Sequence, residues 1–465
     1  MEGEDFLDKD VLSSVERFEK MIRNKSQDFF DTETIENIAE YYIVKDQLKK
    51  ALEAVYYGES LYPYYTGFKF KKSEVFLELE KYEDAIEELE KVELYEPFNS
   101  ELFLLKGEAY LNLEDTQQAE ECFEKTILHS DDRIDTLFEI AYVYEECGVF
   151  EKAANYFSQI LIEQPDAEQA FFELANCYDV LMQYNKCIDT YQKLIDLDPY
   201  STGAWYNLGI TFGKIEEFER AIESFDYCLA IDEDFVAAQF NKANCLVELE
   251  KFEEAIIEYE LTTQKEGPDS TTFCNIGGCY ERLNQNDKAR EYYNKAIKLN
   301  PNIGEAWFGV GLTHEKEGNT KEALQYFKRS VMLDPENSEY LLILGEVEFK
   351  LGNIHEAEEI YSKLVETDST LVEAWLDWSF IKYWFDDYDG AIEIMLEALK
   401  VQPDCHQFHY RMVNYLLLKM ENKQAIQHLE TALSLNFNDH FLLFEFSPGL
   451  KNADLITDII ELYRK

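Results

Sequence analysis

Along most of the chain an alanine is followed four residues later by a large apolar or aromatic side chain, and the pair returns every 34 residues. The alanines are Ala51, Ala85, Ala119, Ala153, Ala221, Ala255, Ala289, Ala323, Ala357, Ala391 and Ala425, with Cys187 in the fifth place of the series. Their partners run Val55, Leu89, Phe123, Phe157, Tyr191, Phe225, Tyr259, Tyr293, Phe327, Tyr361, Met395 and Leu429. Twelve residues before each alanine stands a second, mostly small residue: Ala39, Ser73, Gly107, Ala141, Ala175, Gly209, Ala243, Gly277, Gly311, Gly345 and Ser379, then Val413. A four-residue spacing puts two side chains on one helix face. Each unit therefore predicts two helices of about 12–14 residues, meeting where the small residues allow close approach. Proline stands twelve residues after the alanine in seven units, from Pro63 to Pro403, where it stops the second helix.

The register holds without insertion from Thr32 to Asp439, which makes twelve units. One such hairpin cannot bury its apolar face alone, so stacking on its neighbours supplies the core. The motif Trp205-x-x-Leu208-Gly209-x-x-Phe212 with Ala221-x-x-x-Phe225 carries a recognisable signature. So does Trp307-x-x-Val310-Gly311 with Ala323-x-x-x-Phe327 and Pro335. On these residues the chain resembles the tetratricopeptide repeat family over about nine-tenths of its length. The resemblance implies an all-α fold, a right-handed superhelical α-solenoid of helix-turn-helix units, with helical caps expected at both ends. Departures cluster near the ends: Lys69 and Lys72 stand in the second unit where large apolar residues are usual, and His409 and Val413 in the twelfth.

The expected organisation is an acidic capping helix within residues 1–31, twelve units over 32–439, and a partial thirteenth repeat with a capping helix over 440–465. In the first flank Val11, Val15, Phe18 and Ile22 recur at helical spacing. In the last, Phe441, Leu442, Leu443, Phe444 and Phe446 precede a break at Pro448-Gly449. Asn452 is then expected to cap a helix bearing Leu455, Ile456, Ile459, Ile460 and Leu462.

Charge changes the functional picture. The 465 residues carry 43 Lys+Arg against 95 Asp+Glu, a net −52. Such a surface repels phosphate backbones, which predicts no nucleic-acid partner, and it offers no polybasic face for anionic lipid. Disorder is excluded by a hydrophobic share of 46% and by 31 Tyr, 32 Phe and 5 Trp, ample ring area for a core. No run approaches the length of a membrane span, so no direct membrane insertion is expected. The acidic start and nine cysteines without a C-x-x-C pair predict a cytoplasmic protein.

Catalytic chemistry finds no place. The flanks are too short for an enzyme fold, so no enzyme and no cofactor are predicted. His406 and His409, one turn apart and preceded by Cys405, lack a fourth ligand nearby, so no metal is predicted. Gly309-x-Gly311 and Gly277-Gly278 have no preceding strand, which rules against a nucleotide loop. Cys177, Cys245 and Cys279 share one repeat position and read as buried spacers.

What remains is binding. In the resembled family the first helices line a concave groove, with positions 2, 5, 6, 9, 12 and 13 of each unit facing into it. Here position 6 holds Asn207, Asn241 and Asn275 in successive units, with Asn176 and Asn244 at position 9. An asparagine ladder offers donor and acceptor to an extended peptide backbone; the alternative is a merely polar face. Position 5 is aromatic at Phe138, Phe172, Tyr206, Phe240, Phe308 and Tyr410, either packed beneath the groove or gripping a ligand. Acids gather in the earlier units, among them Glu101, Glu108, Asp135, Glu139, Glu145, Glu146, Glu173 and Asp179. Cations follow at position 13: Lys214, Arg282, Lys316 and Lys350. An apolar strip is expected from Phe349, Tyr383, Trp384, Leu417 and Leu418. The family's carboxylate clamp needs cations beside its asparagines. Phe172, Ala237 and Asn241 stand where the family pattern would be tested, so that activity is disfavoured. The predicted function is a scaffold or adaptor binding partner protein segments, with a bias toward basic ones. The alternative is a structural homo-oligomer or spacer, self-associating through the apolar C-terminal units.

Overall fold

The computed structural model describes residues 9–24, 26 and 28–464, in which the regular structure is 27 α-helices and two short 3-10 segments. The chain divides between Glu233 and Asp234 into two compact units. The first holds α1 (Lys9–Asn24) and then six hairpins: α2 (Thr32–Val44) with α3 (Leu48–Leu61), α4 (Gly67–Glu78) with α5 (Tyr82–Glu93), α6 (Ser100–Asn112) with α7 (Thr116–His129), α8 (Arg133–Glu146) with α9 (Phe150–Glu163), α10 (Glu168–Val180) with α11 (Tyr184–Leu197), and α12 (Thr202–Lys214) with α13 (Phe218–Ile231).

The second unit continues with α14 (Val236–Glu248) and α15 (Phe252–Glu266), α16 (Ser270–Arg282) and α17 (Asn286–Leu299), α18 (Gly304–Lys316) and α19 (Thr320–Leu333), α20 (Ser338–Lys350) and α21 (Ile354–Thr367), α22 (Val372–Trp384) and α23 (Tyr388–Val401), and α24 (His406–Leu418) and α25 (Asn422–Leu435). Two short helices, α26 (Phe441–Phe446) and α27 (Asp454–Tyr463), end it. Neighbouring first helices touch, α2 to α4, α4 to α6 and α6 to α8 in the first unit, and α16 to α18, α20 to α22 and α22 to α24 in the second. Side chains on their outer positions therefore share one face, which is where a site would form.

Packing explains the recurring letters. Ala119 with Phe123 and Ala153 with Phe157 are fully buried. The ring one turn after the alanine lies over the small residue of its own hairpin. A Cβ built on Gly277 would come within 2.6 Å of the Tyr293 ring, and one on Gly209 within 2.6 Å of the Phe225 ring. The small residue thus makes room for an aromatic ring as well as for a neighbouring helix. The unusual Lys72 is reconciled by an ion pair: its Nζ lies 2.9 Å from Glu88 Oε1 and 3.5 Å from Glu59 Oε2, with little exposure on any partner. A buried charge held this way keeps its hydrogen bonds, and removing one partner would leave the other stranded.

Between the two helices of every hairpin the backbone turns through one residue at positive φ: Asp46, Glu80, Glu114, Gly148, Met182, Glu216, Glu250, Asn284, Gly318, Gly352, Asp386 and Met420. The hydrogen bonds are those of a Schellman end, for example Asp46 N–H to Ile43 O and Gln47 N–H to Tyr42 O, both 2.8 Å. Only three of the twelve positions use glycine, so this turn carries no sequence signature.

The flanks differ in detail from expectation. In α1, Val15 and Phe18 are buried, but Ile22 is exposed and Met21 takes the inward place. In α27, Ile456, Ile459 and Ile460 are buried while Leu455 and Leu462 face solvent. Helix α26 is only six residues long. The residue preceding α27 is Ala453, and the Asn452 side chain lies outside the described residues, as do residues 1–8 and 465.

Candidate functional site

In the first unit the outer face of α4, α6 and α8 concentrates carboxylates. Burial pushes Glu108 up to about 7, and the charges of Glu146, Glu78 and Glu74 push the same way. Glu74 is also raised by burial, although Lys71 donates to it at 2.8 Å and to Glu40 at 2.7 Å. Burial raises Glu139, assisted by Asp135. Glu145 is raised by burial against the opposing effect of the Cys177 thiol, which donates to it at 3.2 Å.

Farther along the same unit the predicted residues are partly engaged by the protein itself. Glu173 accepts from the Tyr142 hydroxyl at 3.3 Å. Phe172 and Tyr206 are half-buried, their rings 6.0 Å from those of Tyr191 and Phe225 in the same hairpins. Asn176 is exposed on α10. Asn207 donates at 3.0 Å to Gly203 O on its own helix, which uses one arm of the amide internally.

In the second unit the asparagines are cross-linked rather than ranged as an open ladder. The Tyr259 hydroxyl donates to Asn244 Oδ1 at 2.6 Å and accepts from Asn275 Nδ2 at 3.4 Å, while Asn244 Nδ2 points to Asn241 Oδ1 at 3.5 Å. Phe240 is half-buried against Tyr259, ring centroids 5.5 Å apart. Two position-5 rings, Phe308 and Tyr410, are buried in the packing, and Phe308 also lines the cavity beside this network.

Beside this network opens a cavity of about 760 Å³. Gly278 and Gly309 both line it: Gly278 leaves open space above the Tyr293 hydroxyl, whereas a Cβ on Gly309 would run into the Tyr293 ring, which packs against that glycine. Its aromatic walls are Phe252, Tyr259, Phe308 and Tyr340, the last two stacked at 4.5 Å. Glu248, Glu281, Glu305 and Glu339 line it as well, against a single cation, Arg282. In the sequence this opening is signalled by Gly278 at position 9, a groove position where the neighbouring units carry Asn244 and Leu312.

The cations expected to meet ligands are already paired. Lys214 lies 2.6 Å from Asp179, Lys316 3.0 Å from Glu281, Lys350 3.1 Å from Glu315, and Arg282 3.4 Å from Glu250. The first three join position 13 of one hairpin to position 12 of the hairpin before it. These pairs staple one hairpin to the next.

The C-terminal strip is narrower than expected. Phe446 of α26 covers Tyr383 and Tyr415, ring centroids 4.8 and 5.6 Å away, and the Arg411 guanidinium sits 4.1 Å over its ring. Leu417 packs at the edge of the core, and Phe349 meets Phe380 and Trp384. Trp384, 63% exposed, and Leu418 remain open. His406 and His409 do not converge: His406 Nε2 lies 2.7 Å from Asp439 Oδ2, and His409 Nδ1 lies 2.8 Å from His428 Nδ1. Among the described residues no group of three or more His, Cys, Asp or Glu is placed to hold a metal ion. No helix among them is long and apolar enough to cross a membrane.

Family models of the tetratricopeptide repeat match residues 70–132, 169–201, 206–271, 270–303, 292–325 and 315–375. No curated protein matches the chain. Among solved structures, the chain is similar to YrrB, described as a TPR protein with an unusual peptide-binding site, at 24% identity over 40% of this chain and 95% of that one, TM-score 0.32. It is similar to MamA at 22% identity over 37% and 94%, TM-score 0.34. It is also similar to a chain of the Cut9-Hcn1 hetero-tetramer of APC/C at 15% identity over 94% and 97%, TM-score 0.38.

Proposed function

The chain belongs to the tetratricopeptide repeat family, and from that premise we propose that it is a non-enzymatic scaffold holding basic segments of partner proteins against the first-helix face. The carboxylate cluster around Glu108 carries this reading. Glu78, Glu108 and Glu146 act on one another from neighbouring first helices, with Glu74 beside them already shared by Lys71, and a cationic segment laid across them relieves that repulsion. The stapled cations cannot do so, because each already serves a carboxylate of its own. The same excess of negative charge disfavours nucleic acid. Nine free cysteines, seven of them buried, suit a reducing cytoplasm.

Titration of the full chain with a labelled Lys/Arg-rich peptide, and with its Asp/Glu counterpart, tests the reading. The basic peptide is expected to bind, more weakly as salt rises from low to physiological strength, and more weakly again to a Glu108→Gln, Glu145→Gln, Glu146→Gln triple variant. Equal binding of the acidic peptide, or affinity independent of salt, would remove it.

A second reading is favoured by the open Trp384 and Leu418 beside exposed Phe385: self-association through this patch. Sedimentation over a range of protein concentrations, with Trp384→Ser as the comparison, separates it from a monomeric adaptor.

A further inference from the structure

The cavity beside Tyr259 is built differently from the rest of the first-helix face. Most positions 6 and 9 carry a side chain that fills the face; Gly278 carries none and leaves open space down to the Tyr293 hydroxyl, while the Gly309 backbone packs directly on the Tyr293 ring. Its volume of about 760 Å³ falls in the range of sites that enclose a ligand group, and exceeds what one aliphatic side chain would fill. The walls are aromatic and the rim is acidic. Among the described residues no ion pair holds Glu248, Glu305 or Glu339, while Glu281 is shared by Lys316 at 3.0 Å and the Tyr293 hydroxyl at 3.0 Å. Arg282, the one cation, is occupied by Glu250 and by the Phe252 face 5.1 Å away. Aromatic faces with surplus carboxylates suit a planar cation that is weakly hydrated and can stack while donating in its plane.

We propose that this cavity is the anchoring subsite for an arginine side chain of the bound segment. The inference rests on the scaffold reading above and adds what that reading lacks: a place and a residue type. The guanidinium stacks against the Tyr340 and Phe308 rings and donates to Glu305 and Glu339 at the mouth. Asn275, whose Nδ2 is turned to Tyr259, keeps Oδ1 to accept a backbone N–H of the same segment. An ammonium ion would meet the same charges but forfeits the stacking and the forked donors, so lysine is the weaker occupant.

Gly278 gives the means to test it. A Cβ there finds only the Tyr293 hydroxyl, at an ordinary contact distance of 3.7 Å, and leucine is a good helix former. Gly278→Leu therefore projects a side chain from the wall into the cavity and narrows it while the helix stands. The probe is a displayed library of random dodecapeptides selected against the full chain, wild type first. The expected consensus contains one fixed arginine. Binding of a selected peptide then falls about tenfold or more with Gly278→Leu, with Glu305→Gln plus Glu339→Gln, and with arginine replaced by lysine in the peptide. Circular dichroism and the urea midpoint verify that each variant is folded. A consensus without arginine, or arginine peptides indifferent to Gly278→Leu, would overturn the subsite and leave the scaffold reading standing. Equal binding of the lysine peptide would overturn the choice of arginine. A library that yields no binding peptide would overturn both.

Discussion

Lys316 Nζ lies 3.0 Å from Glu281 Oε1, and the two residues are 35 positions apart in the chain. Lys214 with Asp179 and Lys350 with Glu315 repeat the same offset. Because the hairpin period is 34, an offset of one more residue joins the last turn of one first helix to the last turn of its predecessor. The lysine belongs to the solenoid's own construction.

Lys316→Ala is accordingly expected to lower stability by about 1 kcal/mol, because the lysine end of the pair is 41% exposed and Glu281, at 12%, keeps the Tyr293 hydroxyl as a partner. A double-mutant cycle with Glu281→Ala should show coupling of about 0.5 kcal/mol. Affinity for a basic peptide should stay level or rise, since a competing cation has gone. A loss of affinity in the lysine variant would instead make Lys316 a ligand.

The two adjacent glycines of α16 are expected to respond with opposite signs. The Cβ of Gly277→Ala would press within 2.6 Å of the buried Tyr293 ring, costing about 1–3 kcal/mol by overpacking. Gly278→Ala meets open space apart from the Tyr293 hydroxyl and gains helix propensity of about 0.5–1 kcal/mol. Urea midpoints of the two variants check this. Equal shifts in one direction would contradict the assignment of one glycine to packing and the other to the cavity. Since coupling in a solenoid is chiefly between neighbours, hydrogen exchange should place the Gly277→Ala damage near α16 and α17.

Much of this architecture is legible in the letters because packing repeats with the period. Ala289 and Tyr293 announce their helix face, and Gly277 announces the space for that ring. Three features stay hidden for physical reasons. The hairpin turn needs a left-handed residue, but the backbone bonds around it are strong enough to hold Glu, Asp, Met or Asn there. The staples join residues whose letters look like ordinary surface charge unless read at an offset of 35. The Tyr259 bridge between Asn244 and Asn275 depends on a hydroxyl reaching across from another helix, which no spacing within one helix discloses. The covering of Tyr383 by Phe446 is of the same kind.

The left-handed turn yields a stabilising substitution. Met182 sits at φ 55° and is 74% exposed, so its side chain contributes little packing. Left-handed backbone costs a residue with a Cβ about 1–2 kcal/mol, and glycine returns part of that gain through its freer unfolded chain. Met182→Gly should therefore stabilise the first unit by about 0.5–1 kcal/mol, read as a higher urea midpoint. The same change at a helical position such as Leu174, buried in the core, should do the reverse.

Glu108 makes the stability of the first unit depend on pH. Its carboxyl is raised from the usual 4.5 to about 7, first by burial and then by Glu146, Glu78 and Glu74. The folded chain therefore holds this proton over a range where the unfolded chain has released it. Its stabilising contribution is full below about 4.5, declines as pH rises, and is gone above about 7. With 1.36 kcal/mol for each tenfold step, reduced because the group is partly exposed, the change across that window is about 2 kcal/mol. Glu108→Gln should remove this part of the slope and raise stability at pH 8, while changing little at pH 5. The same linkage reaches binding. A basic segment beside Glu108 favours its charged form, so at pH 7 association should release protons. Calorimetry in two buffers of different ionisation enthalpy reads that release, and its disappearance in Glu108→Gln would assign it to this carboxyl. Proton uptake on binding would place the segment elsewhere.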